Sequence, residues 1–121
     1  MIALLVALGC GPKHVESGQA SWYGAELRGN ATASGEAFRP GLRRTAAHKT
    51  LPFGTVVIVT RTDTGARVRV VVNDRGPYVN GRIIDLSKKA ARRLDMVDAG
   101  VAPVEVRVVG CRRQRYDTDC D

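Results

Sequence analysis

Two aspartates of this chain stand where a carboxyl group can meet a substrate. Asp74 lies between Asn73 and Arg75, where a run of valines meets the sharp Gly76-Pro77 break. Asp85 is a lone charge within the apolar Ile83-Ile84-Asp85-Leu86. Desolvation favours a neutral carboxyl and a nearby arginine favours an ionised one, so two aspartates can divide acid and base roles. Glycosidic bond cleavage uses such groups. The same residues also suit structural duties: Asp74 as a turn former, Asp85 as a partner for backbone amides or the cap of a following helix. Spacing alone leaves both readings open. Of the two histidines, His14 falls in a polar linker and reads as inert, while His48 sits in Thr45-Ala46-Ala47-His48-Lys49-Thr50. His48 has no further ligand at close spacing, so no metal is expected. A Gly-x-Ser-x-Gly elbow is absent, which argues against a serine hydrolase. No cofactor is expected.

The elements that must position these groups are short. Residues 19–23 read as a strand, and the long aperiodic stretch 24–44 as a loop that carries function. Residues 55–60 are β-branched throughout, and residues 67–72 alternate Arg with Val before running on as valines. The Thr62-Asp63-Thr64-Gly65 turn joins them into a hairpin. A short apolar strand follows at 82–86. Ser87 is placed to cap a helix over 88–94, with Leu86, Ala90 and Leu94 on one face. Residues 98–103 read as a turn and 104–109 as a closing strand. The pattern is mainly β, a small barrel with covered edges.

The chain has 121 residues with 44% hydrophobic content and a net charge of +7, enough apolar material for one folded domain. No apolar run reaches the roughly 18–20 residues of a spanning helix. Residues 18–110 hold 15 basic and 8 acidic residues, so they carry the whole excess. A basic domain attracts polyanions: nucleic acid, anionic lipid or acidic polysaccharide. Residues 1–9 form a short apolar leader ending at Cys10, which resembles a lipoprotein-type signal truncated at its start, with Cys10 as the lipidated residue. A linker (10–17), the domain (18–110) and a tail (111–121) follow. In an exported chain, Cys111 and Cys120 read as a disulfide rather than metal ligands. Export and scarce aromatics disfavour nucleic acid as a partner. A monomer is expected, touching the membrane through its lipid anchor alone and facing the periplasm.

Five ordered motifs resemble the rare lipoprotein A (RlpA) family. They are Ala20-Ser21-Trp22-Tyr23-Gly24, Thr32-Ala33-Ser34-Gly35-Glu36, TAAHKTLPFGT at 45–55, VNDRGPY at 72–78 and RIIDLS at 82–87. The resemblance implies a six-stranded double-psi β-barrel with one or two short helices, related to expansins. It also implies an endolytic transglycosylase acting on peptidoglycan glycan strands stripped of peptide. It places the catalytic Asp on Asp74, a His on His48 and a cleft Glu on Glu36, with Asp85 as a rival acid. On that reading Asp74 and His48 share one groove, the histidine bonding the aspartate or the substrate. Trp22, Tyr23 and Tyr78 are candidates for stacking on sugars, with core packing as an equal alternative for each. Lys49, Arg75 and Arg82 are candidates for meeting the carboxylates of the stripped strand. Two departures stand out. No SPOR domain follows the barrel, and residues 39–44 are one residue longer than usual, which shifts Glu36 relative to His48. The competing reading is a non-catalytic, expansin-like module that binds the glycan without cutting it.

Overall fold

The computed structural model describes residues 15–23, 32–35 and 43–111. Among them are strands β1 (Val15–Tyr23), β2 (Thr45–His48), β3 (Thr55–Arg61), β4 (Arg67–Asp74), β5 (Arg82–Ser87) and β6 (Val101–Cys111), and one helix, α1 (Lys88–Arg93). They close into a barrel in the order β1-β5-β2-β4-β3-β6. The β1–β5 and β2–β4 pairs are parallel and the other four antiparallel. Closure pairs both edges of each of these described strands.

Alternation builds the core. Val57 and Val59 of β3, Val68, Val70 and Val72 of β4, Ile84 and Leu86 of β5, and Val104 and Val106 of β6 all point inward. Ala20 and Ala46 give the smaller contacts, and Ala90, Ala91, Leu94 and Met96 of the helical segment plug the cluster. The hairpin between β3 and β4 turns at Gly65, whose φ of 84° is the left-handed conformation glycine adopts without strain. Ser87 caps α1 as its sequence position foretells: its Oγ accepts from the Ala90 amide at 3.4 Å. The same oxygen accepts from the Thr45 amide (3.2 Å) and donates to the Arg43 carbonyl (2.7 Å), tying the helix start to the entry of β2.

Three boundaries differ from the sequence expectation. Strand β1 starts at Val15, because its polar first half pairs with β6 from Val15↔Arg107 onward. Residues 101–103 belong to β6 rather than to a turn. Pro103 lacks an amide hydrogen, and its carbonyl accepts from the Thr62 amide at 3.0 Å. Residues 45–48 form a fully buried strand where the sequence shows no alternation.

Candidate active site

Strand register lays out the site. Asp85 of β5 pairs with Ser21 on β1 and with Ala47 on β2, and Ala47 pairs in turn with Asp74 on β4. Ser21, Asp85, Ala47 and Asp74 thus form one lateral row on the outer face of the sheet. Two strand spacings of ~4.8 Å set the Cα atoms of the two aspartates roughly 10 Å apart, with only the Ala47 methyl between them.

Asp74 reaches that row through an irregularity. The inward residues of β4 are Val68, Val70 and Val72, so strict alternation would send Asp74 into the core. The register instead shifts between Ala46 and Ala47: Ala46 pairs with Val72, and Ala47 pairs with Asp74. The skipped Asn73 takes the extra step, and its carbonyl accepts from the Ser34 amide at 3.2 Å. Such a shift re-aims a side chain across the sheet. Asp74 Oδ1 is then held by two backbone donors, the amides of Ala33 and Arg75, each at 2.9 Å. The Thr32 and Ser34 hydroxyls bond each other at 2.9 Å and fix the loop that supplies the first of these. Among the described residues, Oδ2 carries no hydrogen bond.

Asp85 is oriented from the other side by the Ser21 hydroxyl, which donates to its Oδ1. Tyr23 follows two residues later on the same face as Ser21. Burial first, and then the charges of Asp74 and Asp85, push its phenol well above the usual tyrosine range. Tyr23 is therefore a neutral hydroxyl within the field of both carboxylates.

His48 occupies the opposite side of the sheet. Successive residues of a strand alternate faces, so with Ala47 in the carboxylate row His48 projects the other way, level with inward-facing Ile84. It is 2% exposed. Its Nε2 meets Glu16 Oε1 at 2.8 Å, and its Nδ1 accepts from the amides of Thr50 and Leu51 at 3.1 Å each. A nitrogen that accepts carries no hydrogen, so the ring proton sits on Nε2 and is donated to Glu16. The expected groove shared by Asp74 and His48 is corrected accordingly: the two side chains leave adjacent strands on opposite faces.

Three other expected contacts are redistributed. Trp22 pairs with inward-facing Leu86, packs on the core and donates from Nε1 to the Val97 carbonyl at 3.1 Å, which is its core-packing alternative. Lys88 lies over its ring at 5.8 Å. Arg75 is half-buried: its Nη1 donates to the carbonyls of His48 (3.3 Å) and Leu51 (2.8 Å), and its guanidinium lies 4.0 Å from the Phe53 ring centre. That cation is already engaged within the protein. Tyr23 is partly buried beside the carboxylates rather than open for stacking. Tyr78, by contrast, is 79% exposed just past the Gly76-Pro77 break. Lys49 is exposed, and Arg82 is half-buried at the start of β5. Glu36, Cys10 and Cys120 lie outside the described residues, and Cys111 is disulfide-bonded. Among the described residues no His, Cys, Asp or Glu cluster has the makings of a metal site. Ser21, Glu16 and the Ala33 amide were not singled out from sequence. For Ser21 the available signal was its two-residue spacing from Tyr23 on a strand.

The barrel and its paired carboxylates define a class. Residues 15–106 match the family described as lytic transglycolase, and the chain belongs to it. Curated relatives named endolytic peptidoglycan transglycosylase RlpA are 52% identical over 93 residues in Campylobacter jejuni and 51% over 94 residues in Vibrio cholerae. These alignments cover 77% and 78% of this chain but 34% and 35% of the relatives, so the chain spans about a third of their length. Among solved structures, the apo expansin of Clavibacter michiganensis superposes with a TM-score of 0.64 at 28% identity, covering 84% of this chain and 53% of that one. A variant of that expansin in complex with cellohexaose gives 0.63 at 26% identity, covering 84% and 54%. A Streptomyces papain inhibitor shares the fold at TM-score 0.66 and 24% identity, covering 82% and 97%. The fold is the double-psi β-barrel.

Proposed function

We propose that this protein is an endolytic lytic transglycosylase of the cell envelope, cutting peptidoglycan glycan strands from which the peptides have been removed. The observation that carries the reading is the outer-face row in which Asp74 and Asp85 flank the small Ala47. The names of the relatives support the substrate class, and the similar expansin in complex with cellohexaose supports a polysaccharide as the kind of ligand.

In this mechanism Asp74 Oδ2 protonates the glycosidic oxygen, the C1–O bond breaks, and positive charge develops on the muramic acid ring. The ring's own C6 hydroxyl attacks C1 while Asp74 takes its proton. The product is a 1,6-anhydro end, and the carboxyl group returns to its starting form. No positioned water is consumed. Two amides clamp Oδ1, so Oδ2 is presented in a fixed direction, and acid–base catalysis of this kind supplies about 10²–10⁴-fold. Asp85, fixed by Ser21, faces the developing cation from across Ala47. Tyr23 contributes a neutral hydroxyl within the field of both, and exposed Tyr78 offers a flat surface for a neighbouring sugar. Removal of the peptides uncovers a lactyl carboxylate on each muramic acid, which suits the basic surface and the exposed Lys49. The family resemblance assigns Glu36 a part in handling the substrate in this proposal. Export, lipidation at Cys10 and a Cys111–Cys120 bridge complete it.

Mass spectrometry of amidase-stripped glycan incubated with the protein tests the proposal. Anhydro-ended fragments are expected. Reducing ends would replace it with a hydrolase, and uncut strands that still bind would replace it with an expansin-like module.

A further inference from the structure

We infer that Glu16, His48 and Arg75 form a brace that aims Asp74, with Glu16 as a positioning residue for the reaction. The inference rests on the transglycosylase reading above and assigns those three side chains to alignment, away from substrate contact and proton transfer.

The links are continuous. Glu16 on β1 accepts the Nε2 hydrogen of His48 at the end of β2 (2.8 Å). That bond orients the ring so that Nδ1 accepts from both the Thr50 and Leu51 amides, closing the chain into a tight turn directly after the strand. The turn brings two carbonyls, those of His48 and Leu51, to one guanidinium nitrogen of Arg75. Phe53 packs against the guanidinium plane. With its side chain anchored in this way, the Arg75 backbone is fixed, and its amide donates to Asp74 Oδ1. Every step is a hydrogen bond or ring contact, and the path crosses from the inner side of the sheet to the outer.

The chemistry of the ring favours this role. A histidine that hands protons to substrate needs a nitrogen facing the substrate. Here Nδ1 is occupied by two amides and Nε2 faces a carboxylate, on the side of the sheet away from Asp74. Glu16 selects the tautomer that can accept those amides, as a carboxylate does for many functional histidines. Misplacing a catalytic group by about 1 Å costs up to about 10²-fold in rate, so loosening the brace is felt in turnover although none of its side chains touches the sugar.

The test uses the full chain and stripped glycan. Glu16→Ala is expected to lower kcat roughly 10–100-fold while KM stays within about twofold. Glu16→Gln, which still accepts the Nε2 hydrogen, is expected to restore most of the loss, with a pH profile that superimposes on that of the unaltered protein. An unchanged kcat in Glu16→Ala, or a Gln variant as slow as the Ala one, overturns the brace. A displaced pH profile in Glu16→Gln also overturns it, by placing His48 in proton transfer. Amide hydrogen exchange makes the outcome independent of catalysis: Thr50, Leu51 and Arg75 should all exchange faster in Glu16→Ala. If the unaltered protein leaves glycan uncut, the transglycosylase reading fails, and the exchange data alone decide the brace. Slow exchange retained at Arg75 overturns it.

Discussion

The barrel has two outer faces on the same valine core, and they are built in opposite ways. One spans β1, β5, β2 and β4 and carries Ser21, Asp85, Ala47 and Asp74. The other, across β4, β3 and β6, carries Arg67, Arg69, Arg107 and Glu105 around Ile58 and Thr60. On the second face the register is regular where these residues meet: Ile58 pairs with both Arg69 and Arg107, and Thr60 with both Arg67 and Glu105. Its charges stand in solvent, and its closest ion pair is a loose 3.7 Å contact between Arg107 and Glu105. A shallow groove of about 270 Å³ runs among them. On the first face the register shifts, a loop closes over the strand, and the carboxylates are held by amides and a hydroxyl. Regular pairing yields a solvated charged surface that attracts; broken pairing yields groups aimed at a bond. In the proposed reading the arginine face attracts the polyanionic strand, and the aspartate face carries the chemistry.

The largest effect that can break this contrast is on turnover. Asp74→Asn is expected to lower cleavage by about 10²–10⁴-fold with an unchanged melting temperature. Full activity in that variant, paired with loss in Asp85→Asn, would exchange the roles of the two aspartates. With the roles as assigned, Asp85→Asn is expected to cost about 10²-fold through weaker charge stabilisation, again in kcat. A smaller effect is expected across the barrel. Replacing Arg67, Arg69 and Arg107 together by Gln should weaken sedimentation with stripped sacculi about 3- to 10-fold and flatten its salt dependence, leaving kcat alone. Equal binding by intact and stripped sacculi would remove the carboxylate argument. The smallest effect is on alkaline stability. The Tyr23 phenol sits above its ordinary 10.0 because of burial and then of Asp74 and Asp85. The folded chain keeps a proton that the unfolded chain releases, so this stabilisation is present below pH ~10 and fades above it. Melting curves of Tyr23→Phe should therefore fall less steeply over that range.

The sequence made the regular half of the molecule readable. Alternation located β4 and β6, an unbroken β-branched run located β3, and Ser87 announced the helix. Residues 45–48 escaped because small side chains, buried on both faces, leave no period to detect. Asp74 and Asp85 were legible as chemical groups, since a charge in an apolar strand or at a sharp break is conspicuous. Their common face was not legible, because it depends on a one-residue slip between Ala46 and Ala47 that no local pattern encodes. The same limit explains Trp22 and His48. Residue type left Trp22 between core and cleft and gave His48 a bond to the aspartate or the substrate, while strand parity turned both side chains to the inner side of the sheet. Arg75 was misjudged for a related reason: the sequence reveals a cation near the acid without revealing the two carbonyls waiting for it.

The parallel pairing of β1 with β5 has a consequence for how the molecule comes into being. The first strand finds both of its neighbours, β5 and β6, only in the last third of the described chain, and Ser21 waits for a partner 64 positions away. Such distant pairings must be assembled against loop-closure entropy, which slows the search. The opening strand thus has no finished neighbour until late in the chain, and the carboxylate at position 85 meets its hydroxyl only when distant segments of the chain have come together.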